Sequence, residues 1–147
     1  MKSRFAVFSV IFALFLVFFV ACSNAEPKDV AISFYKAVAN GDEKGAVKLI
    51  HIEDESKRDE YEGKIALIAG LVKNEVIKKG GIKDIEVTEE KIEGDKAEIT
   101  LKVSYNESDK TETRKVKLVR VNGTWMIGDD SRLIFKSAIY RIEKINH

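Results

Sequence analysis

The stretch AISFYKAVANGDEKGAVKLI, residues 31–50, decides how the rest of the chain is read. Together with Val30, it sets Ala31, Phe34, Tyr35 and Val38 on one side of a helix at the i, i+4, i+8 spacing of a buried face. Asn40-Gly41 closes that helix, because a glycine enters the left-handed conformation at a helix C-terminus without strain. Asp42 is then placed to cap a second, short helix carrying Ala46, Val47, Leu49 and Ile50. Upstream, Pro27 suits a first helical position, where its missing N–H has no partner to lose. Downstream, Ser56 with Asp59 three residues on is a capping-box variant. It predicts a long helix with the stripe Tyr61, Ile65, Ile68, Val72 and Val76, ending at Gly80-Gly81.

Past the double glycine the apolar period shortens to that of a strand. Ile85 and Val87 alternate with charged residues, Gly94-Asp95 marks a turn, and Ala97, Ile99, Leu101, Val103 and Tyr105 alternate strictly with polar residues. After a loop at 106–110, residues 111–121 form another strand. Its apolar phase slips from Val116 and Leu118 to Val119 and Val121, which predicts a bulge near Leu118. Asn122-Gly123 predicts a type I′ hairpin into residues 124–127. After Ser131, the residues Ile134, Phe135, Ala138, Ile139, Ile142 and Ile145 are spaced for a final amphipathic helix, although their β-branched content leaves a strand open for 131–147. Helices followed by an antiparallel meander make the fold class α+β, with the helices on one sheet face.

A chain of 147 residues has room for one such domain. From Phe5 to Ala21 every residue but Ser9 is apolar, after Lys2 and Arg4, which is the pattern of an export signal over 1–21. The run falls short of the roughly 20 apolar residues of a spanning helix, and no basic flank follows it. Removing Lys2 and Arg4 leaves 23 basic against 24 acidic residues, a net of −1. A nucleic-acid binder needs a basic footprint, so that class is excluded. Cys22 is the single cysteine, so no disulfide forms within the chain and a thiolate metal site lacks partners.

Two resemblances sharpen this reading. Phe19-Val20-Ala21-Cys22 resembles a bacterial lipobox, with phenylalanine where leucine is usual. The resemblance implies that Cys22 receives a diacylglycerol and palmitate-like acyl chains and becomes the new N-terminus, with 22–26 as a lipidated tether to the membrane. Ser23 is similar to the residue that sends lipoproteins of Gram-negative bacteria to the outer membrane, facing the periplasm. Residues 31–50, with VRVNGTWMI at 119–127, resemble the opening helices and closing hairpin of the NTF2-like (cystatin-like) cone. Together these are similar to small bacterial lipoproteins of the DUF4878 type, a family without an assigned activity. The likeness spans 27–130 and implies an NTF2-like domain over 27–147, a curved sheet wrapped around helices. The cone of that fold holds a small apolar ligand, while other members bind a protein partner or pair sheet to sheet as homodimers. Some members are isomerases or dehydratases, and fold alone does not choose between these roles.

Within such a cone Phe34, Tyr35, Tyr61 and Trp125 are the pocket-lining candidates, with aromatic faces for an apolar ligand and polar tips to orient it. The competing reading is that they fill the core of a small domain. His51, followed by Glu53, Asp54 and Glu55, reads as part of a solvated inter-helix loop in preference to a cation site. Asp129 and Asp130 are paired carboxylates that can divide acid and base roles, or with Ser131 cap the final helix. His147 is terminal. The basic stretch 110–120, interleaved with Glu112, reads as the wet face of a strand. No nucleophile elbow, phosphate loop or zinc-protease motif is present, and no catalytic, cofactor or metal residue is assigned. The expectation is a lipid-anchored envelope protein with a non-catalytic binding domain. The alternatives are a cone-pocket isomerase or dehydratase with Tyr35 or Tyr61 as acid, and a structural assembly subunit.

Overall fold

The structure, a computed structural model, describes residues 25–128. Helix α1, Pro27–Asn40, begins on the proline and ends at Gly41, which adopts φ 73°. The Gly41 N–H donates to the Val38 carbonyl and the Asp42 N–H to that of Ala37, so the last turn is closed by the glycine-dependent C-cap expected there. The Asp42 carboxylate accepts from the Gly45 N–H at 3.0 Å and starts α2, Glu43–Lys48. That helix stops short of Leu49 and Ile50. The Leu49 carbonyl accepts from the Ile127 N–H at 2.7 Å and the His51 N–H donates to the Ile127 carbonyl at 2.8 Å. The segment is thereby drawn out of the helix into a parallel bridge against the sheet edge.

Helix α3, Arg58–Lys78, has the expected stripe, with Ile65, Ile68, Ala69 and Val76 buried. Its start differs from the capping-box reading. Asp54, not Ser56, supplies the cap, its carboxylate accepting from the Ser56 N–H at 3.0 Å and hydroxyl at 2.6 Å. A single 3₁₀ turn, Glu55–Lys57, then leads into α3. An aspartate can bind the backbone two residues on as well as three, and here the shorter option wins.

Four strands follow, β1 Ile82–Glu93, β2 Lys96–Tyr105, β3 Ser108–Val121 and β4 Thr124–Ile127, in the sheet order β1-β2-β3-β4 with every pairing antiparallel. Asn122 and Gly123 both take positive φ, as a type I′ hairpin requires. The predicted bulge near Leu118 is absent. Ile99 faces Val116, Ala97 faces Leu118 and Lys96 faces Val119 in unbroken register. Val119 and Val121 therefore lie on the outer face of the sheet, where Val119 pairs with Met126. The irregularity of β3 sits at its start instead, between the Val103–Glu112 and Tyr105–Ser108 pairs, and β1 carries an extra residue around Thr88.

Helix α1 packs against the inner face of the sheet, and α3 packs on α1 and α2. Val30, Ala31, Phe34, Tyr35 and Val38 meet Ile99, Leu101, Val103, Val116, Leu118 and Ile127 in one continuous core. Residues 1–24 and 129–147, which include Cys22, the Asp129-Asp130 pair and the final amphipathic segment, lie outside the described residues.

Leu101 is fully buried at the centre of this core. Leu101→Ala is expected to destabilise the domain by about 2–5 kcal/mol, the usual cost of a core cavity. Urea unfolding checks this: the midpoint falls while the slope stays that of the native chain.

Candidate functional site

Of the four aromatic candidates, the structure places two in the core and two at its margin. Phe34 and Tyr35 are 2% and 7% exposed on the sheet-facing side of α1. Tyr61 on α3 and Trp125 on β4 are half-buried against the same core. The Lys64 ammonium lies 5.9 Å from the Tyr61 ring centre, and the Arg120 guanidinium 5.1 Å from that of Trp125. Arg120 also donates to Asp95 at 2.9 Å and to the Gly94 carbonyl at 3.3 Å, so it ties Trp125 to the β1–β2 turn.

Tyr35 leads to a polar cluster that the sequence reading did not find. Its hydroxyl lies 3.2 Å from that of Tyr105, and the Tyr105 hydroxyl donates to Glu112 Oε2 at 3.0 Å. A hydroxyl has one proton to give, so Tyr35 is the donor to Tyr105. Lys79 Nζ donates to Glu112 Oε1 and Arg114 Nη2 to Glu112 Oε2, both at 2.5 Å. Lys79 also reaches Glu75 at 3.1 Å and stands 4.6 Å from the Tyr105 ring centre. One chain of contacts therefore joins α1, the end of α3, β2 and β3.

The register explains why charge gathers here. Glu112 faces Val103 and Arg114 faces Leu101, and both of those partners are fully buried. Glu112 and Arg114 thus belong to the inward phase of β3, and their side chains are only 11% and 18% exposed. This corrects the reading of 110–120 as one wet face, which describes Lys115 but not the inward pair. The legible signal was phase: Glu112 and Arg114 stand in step with Val116 and Leu118.

Burial raises the Tyr105 phenol well above the ordinary tyrosine value, and the hydrogen bond to Tyr35 and the nearby Glu112 charge add to the effect. For Glu112, burial pushes upward but is outweighed by Lys79 and Arg114, which hold the carboxyl down at about 2. Lys79 loses by burial and gains more from Glu112 and Glu75, so its ammonium is strengthened. The Tyr105 phenol stays protonated and the Glu112 carboxylate ionised at neutral pH, so neither of these two groups exchanges its proton there. The arrangement is a lock that positions elements, and acid–base catalysis would need a group poised near neutrality.

His51 lies elsewhere. A cleft of about 610 Å³ on the outer side of the sheet is walled by His51, Lys91, Glu93, Lys96, Glu98 and Lys117. Its charges are of both signs. Among the described residues no group of three or more histidine, cysteine, aspartate or glutamate side chains converges as a metal site would require.

The profile of the family described as a domain of unknown function, DUF4878, matches residues 20–128. The chain belongs to the DUF4878 family. The fold of this DUF4878 domain is NTF2-like. A Campylobacter jejuni protein with the provisional name NTF2-like transpeptidase is 25% identical to it, with a TM-score of 0.66, covering 71% of this chain and 98% of that one. A SEC-C motif containing protein from Rhodopseudomonas palustris is 14% identical with a TM-score of 0.48, covering 73% of this chain and 78% of that one. Comparison with curated proteins finds no match.

Glu112 supports stability that depends on pH in a defined direction. Its carboxyl pKa falls from an ordinary 4.5 to about 2 in the folded domain, so its contribution is complete above pH 4.5 and is lost as the pH falls toward 2. Glu112→Gln is expected to cost about 1–3 kcal/mol at pH 7, by removing the carboxylate charge that Lys79 and Arg114 share, while Lys79 keeps only Glu75. It should also flatten the acid limb of the stability profile between those pH values. Denaturation measured across pH 2–7 on both proteins reads both effects.

Proposed function

We propose that the protein is a lipid-anchored component of the bacterial cell envelope, and that its DUF4878 domain is a non-catalytic module binding a protein partner. In this reading Cys22 carries the diacylglycerol, the leader ahead of it is removed, and residues 22–26 hold the domain close to the leaflet. Two or three acyl chains, at about 0.8 kcal/mol per buried CH₂, anchor a protein of this size durably. In a Gram-negative cell Ser23 sends it to the outer membrane, facing the periplasm.

One observation carries the binding half of this reading. The inward polar groups around Tyr35 are already spent on the fold: Tyr35 donates to Tyr105, Tyr105 to Glu112, and Glu112 is neutralised by Lys79 and Arg114. The helix-facing side of the sheet is meanwhile filled by fully buried isoleucine, leucine and valine side chains. Recognition is therefore assigned to the outer surface, where a protein is the fitting partner. A transpeptidase reading, suggested by the name of the Campylobacter jejuni neighbour, asks for a nucleophile beside a base. Among the described residues there is no cysteine, and no serine or threonine lines the cleft with His51.

The anchor is tested on the full chain. The native protein is expected to stay with membranes through high salt and alkaline carbonate and to leave with detergent, and its N-terminal peptide to carry an acylated cysteine by mass spectrometry. Cys22→Ser should lose the acyl mass and the cleavage that follows it. An acyl-free native N-terminus beginning anywhere other than Cys22 overturns the proposal.

A further inference from the structure

The face of α3 that points away from the core has an unusual make-up. Gly63, Leu67, Gly70, Asn74 and Ile77 recur at i, i+4, i+7, i+11 and i+14, which places them on one stripe of the helix. Leu67 and Ile77 are 65% and 62% exposed, two of the three large apolar side chains exposed among the described residues. The two glycines have no explanation inside the fold. Neither takes positive φ, and a Cβ added to either would meet nothing within 4 Å. Glycine in mid-helix weakens the helix relative to alanine, so the domain bears two such weaknesses on one exposed stripe without an internal packing need. Small residues alternating with large apolar ones let a second helix approach closely and seat its side chains.

The charges beside the stripe select the occupant. Its N-terminal part carries Asp59, Glu60 and Glu62 against Arg58 and Lys64, the last paired with Glu60 along the helix, for a net of −1, and its C-terminal part carries Lys73 and Lys78 against Glu75, for a net of +1. A helix so polarised is complementary to itself when reversed, whereas a parallel copy sets like charges side by side. Centring the reversed pair on Gly70 places Ile77 of each helix over Gly63 of the other. On one flank it sets Glu60 of each helix and Lys78 of the other two residues out of level, about 3 Å apart along the axis. The outer face of the sheet lacks this character, since Lys91, Lys102 and Lys115 stand exposed among its acidic residues.

We propose that two copies of this protein pair through α3, antiparallel about a two-fold axis at Gly70, with Leu67 and Ile77 buried in the contact. A two-fold contact uses one patch on both copies, so a single stripe that is complementary to its own reverse suffices. Anchored chains confined to one leaflet meet at high local concentration, which favours a small interface of this kind.

Site-specific cross-linking of the full chain in its membrane tests the arrangement. Gly70→Cys puts a thiol at the two-fold axis in open space, so the fold tolerates it. Mild oxidation is expected to convert Gly70→Cys largely to a dimer. The native chain, with Cys22 alone, sets the background, and Lys102→Cys on the outer sheet face should stay at that background. In the Gly70→Cys chain, Glu60→Lys sets two ammonium groups against each other and should cut the dimer yield about fivefold or more. Adding Lys78→Glu should restore it, a rescue that a chance collision would not show. Background yield from Gly70→Cys, dimer from Lys102→Cys in its place, or a Glu60→Lys loss that Lys78→Glu fails to rescue would each overturn the proposal.

Discussion

Helix α1 is wedged between two layers, and the domain depends on that wedge. One side of the helix lies on the sheet and the other receives α3 and α2. Such a helix must be apolar over most of its circumference, and Val30, Ala31, Phe34, Tyr35, Val38 and Ala39 are all buried. The two alanines are as informative as the aromatics. Ala31 and Ala39 are 0% and 3% exposed, which fits helices packed closely at those points, while Phe34 and Tyr35 supply the bulk that fills the curved sheet. A buried side chain of the Phe or Val class contributes about 1.5–3 kcal/mol, so one helix supplies much of the driving force. Its two ends are then fixed by backbone chemistry, Pro27 at the start and Gly41 at the finish.

The polar cluster around Glu112 is the second constraint, of a different kind. Hydrophobic packing says how deeply α1 sinks but little about its rotation or its register along the strands. A directional chain from Tyr35 through Tyr105 to Glu112 and on to Lys79 specifies both. The cost of bringing a carboxylate inward is offset by two cations and a phenol, and that completeness makes the group an organiser of the fold in preference to a reactive one. The same pairing keeps the end of α3 against the sheet. The stripe opposite the α3 core face is thereby held outward, which connects the interior lock to the exposed surface.

Much of the fold was legible in particular residues. Asn40-Gly41-Asp42, Gly80-Gly81, Gly94-Asp95 and Asn122-Gly123 each mark a chain reversal that the structure contains, because each supplies a backbone conformation that few other residues adopt. The strict alternation of 97–105 gave β2 its face. The misreadings share a cause. At Leu118 the slip of apolar phase was taken as a bulge, yet Val119 has an apolar partner across the sheet in Met126, and no sequence rule shows which strand will lie alongside. At Leu49 and Ile50 a helical pattern continued in the sequence, but the edge of β4 offered hydrogen bonds that drew the segment away.

By itself the sequence determined the order of the described elements, their turns, and the resemblance that the DUF4878 match supports. All of these are local properties, written in residues within a few positions of one another. Tertiary structure alone decided that Tyr35, Tyr105, Glu112 and Lys79 form one chain. It also decided that Leu67 and Ile77 remain outside. Tyr35 and Tyr105 are 70 residues apart, and their meeting depends on how a helix and a strand pack once both have formed. The exposed face of α3 carries apolar residues as its buried face does, so its periodicity could not say which side the core would claim.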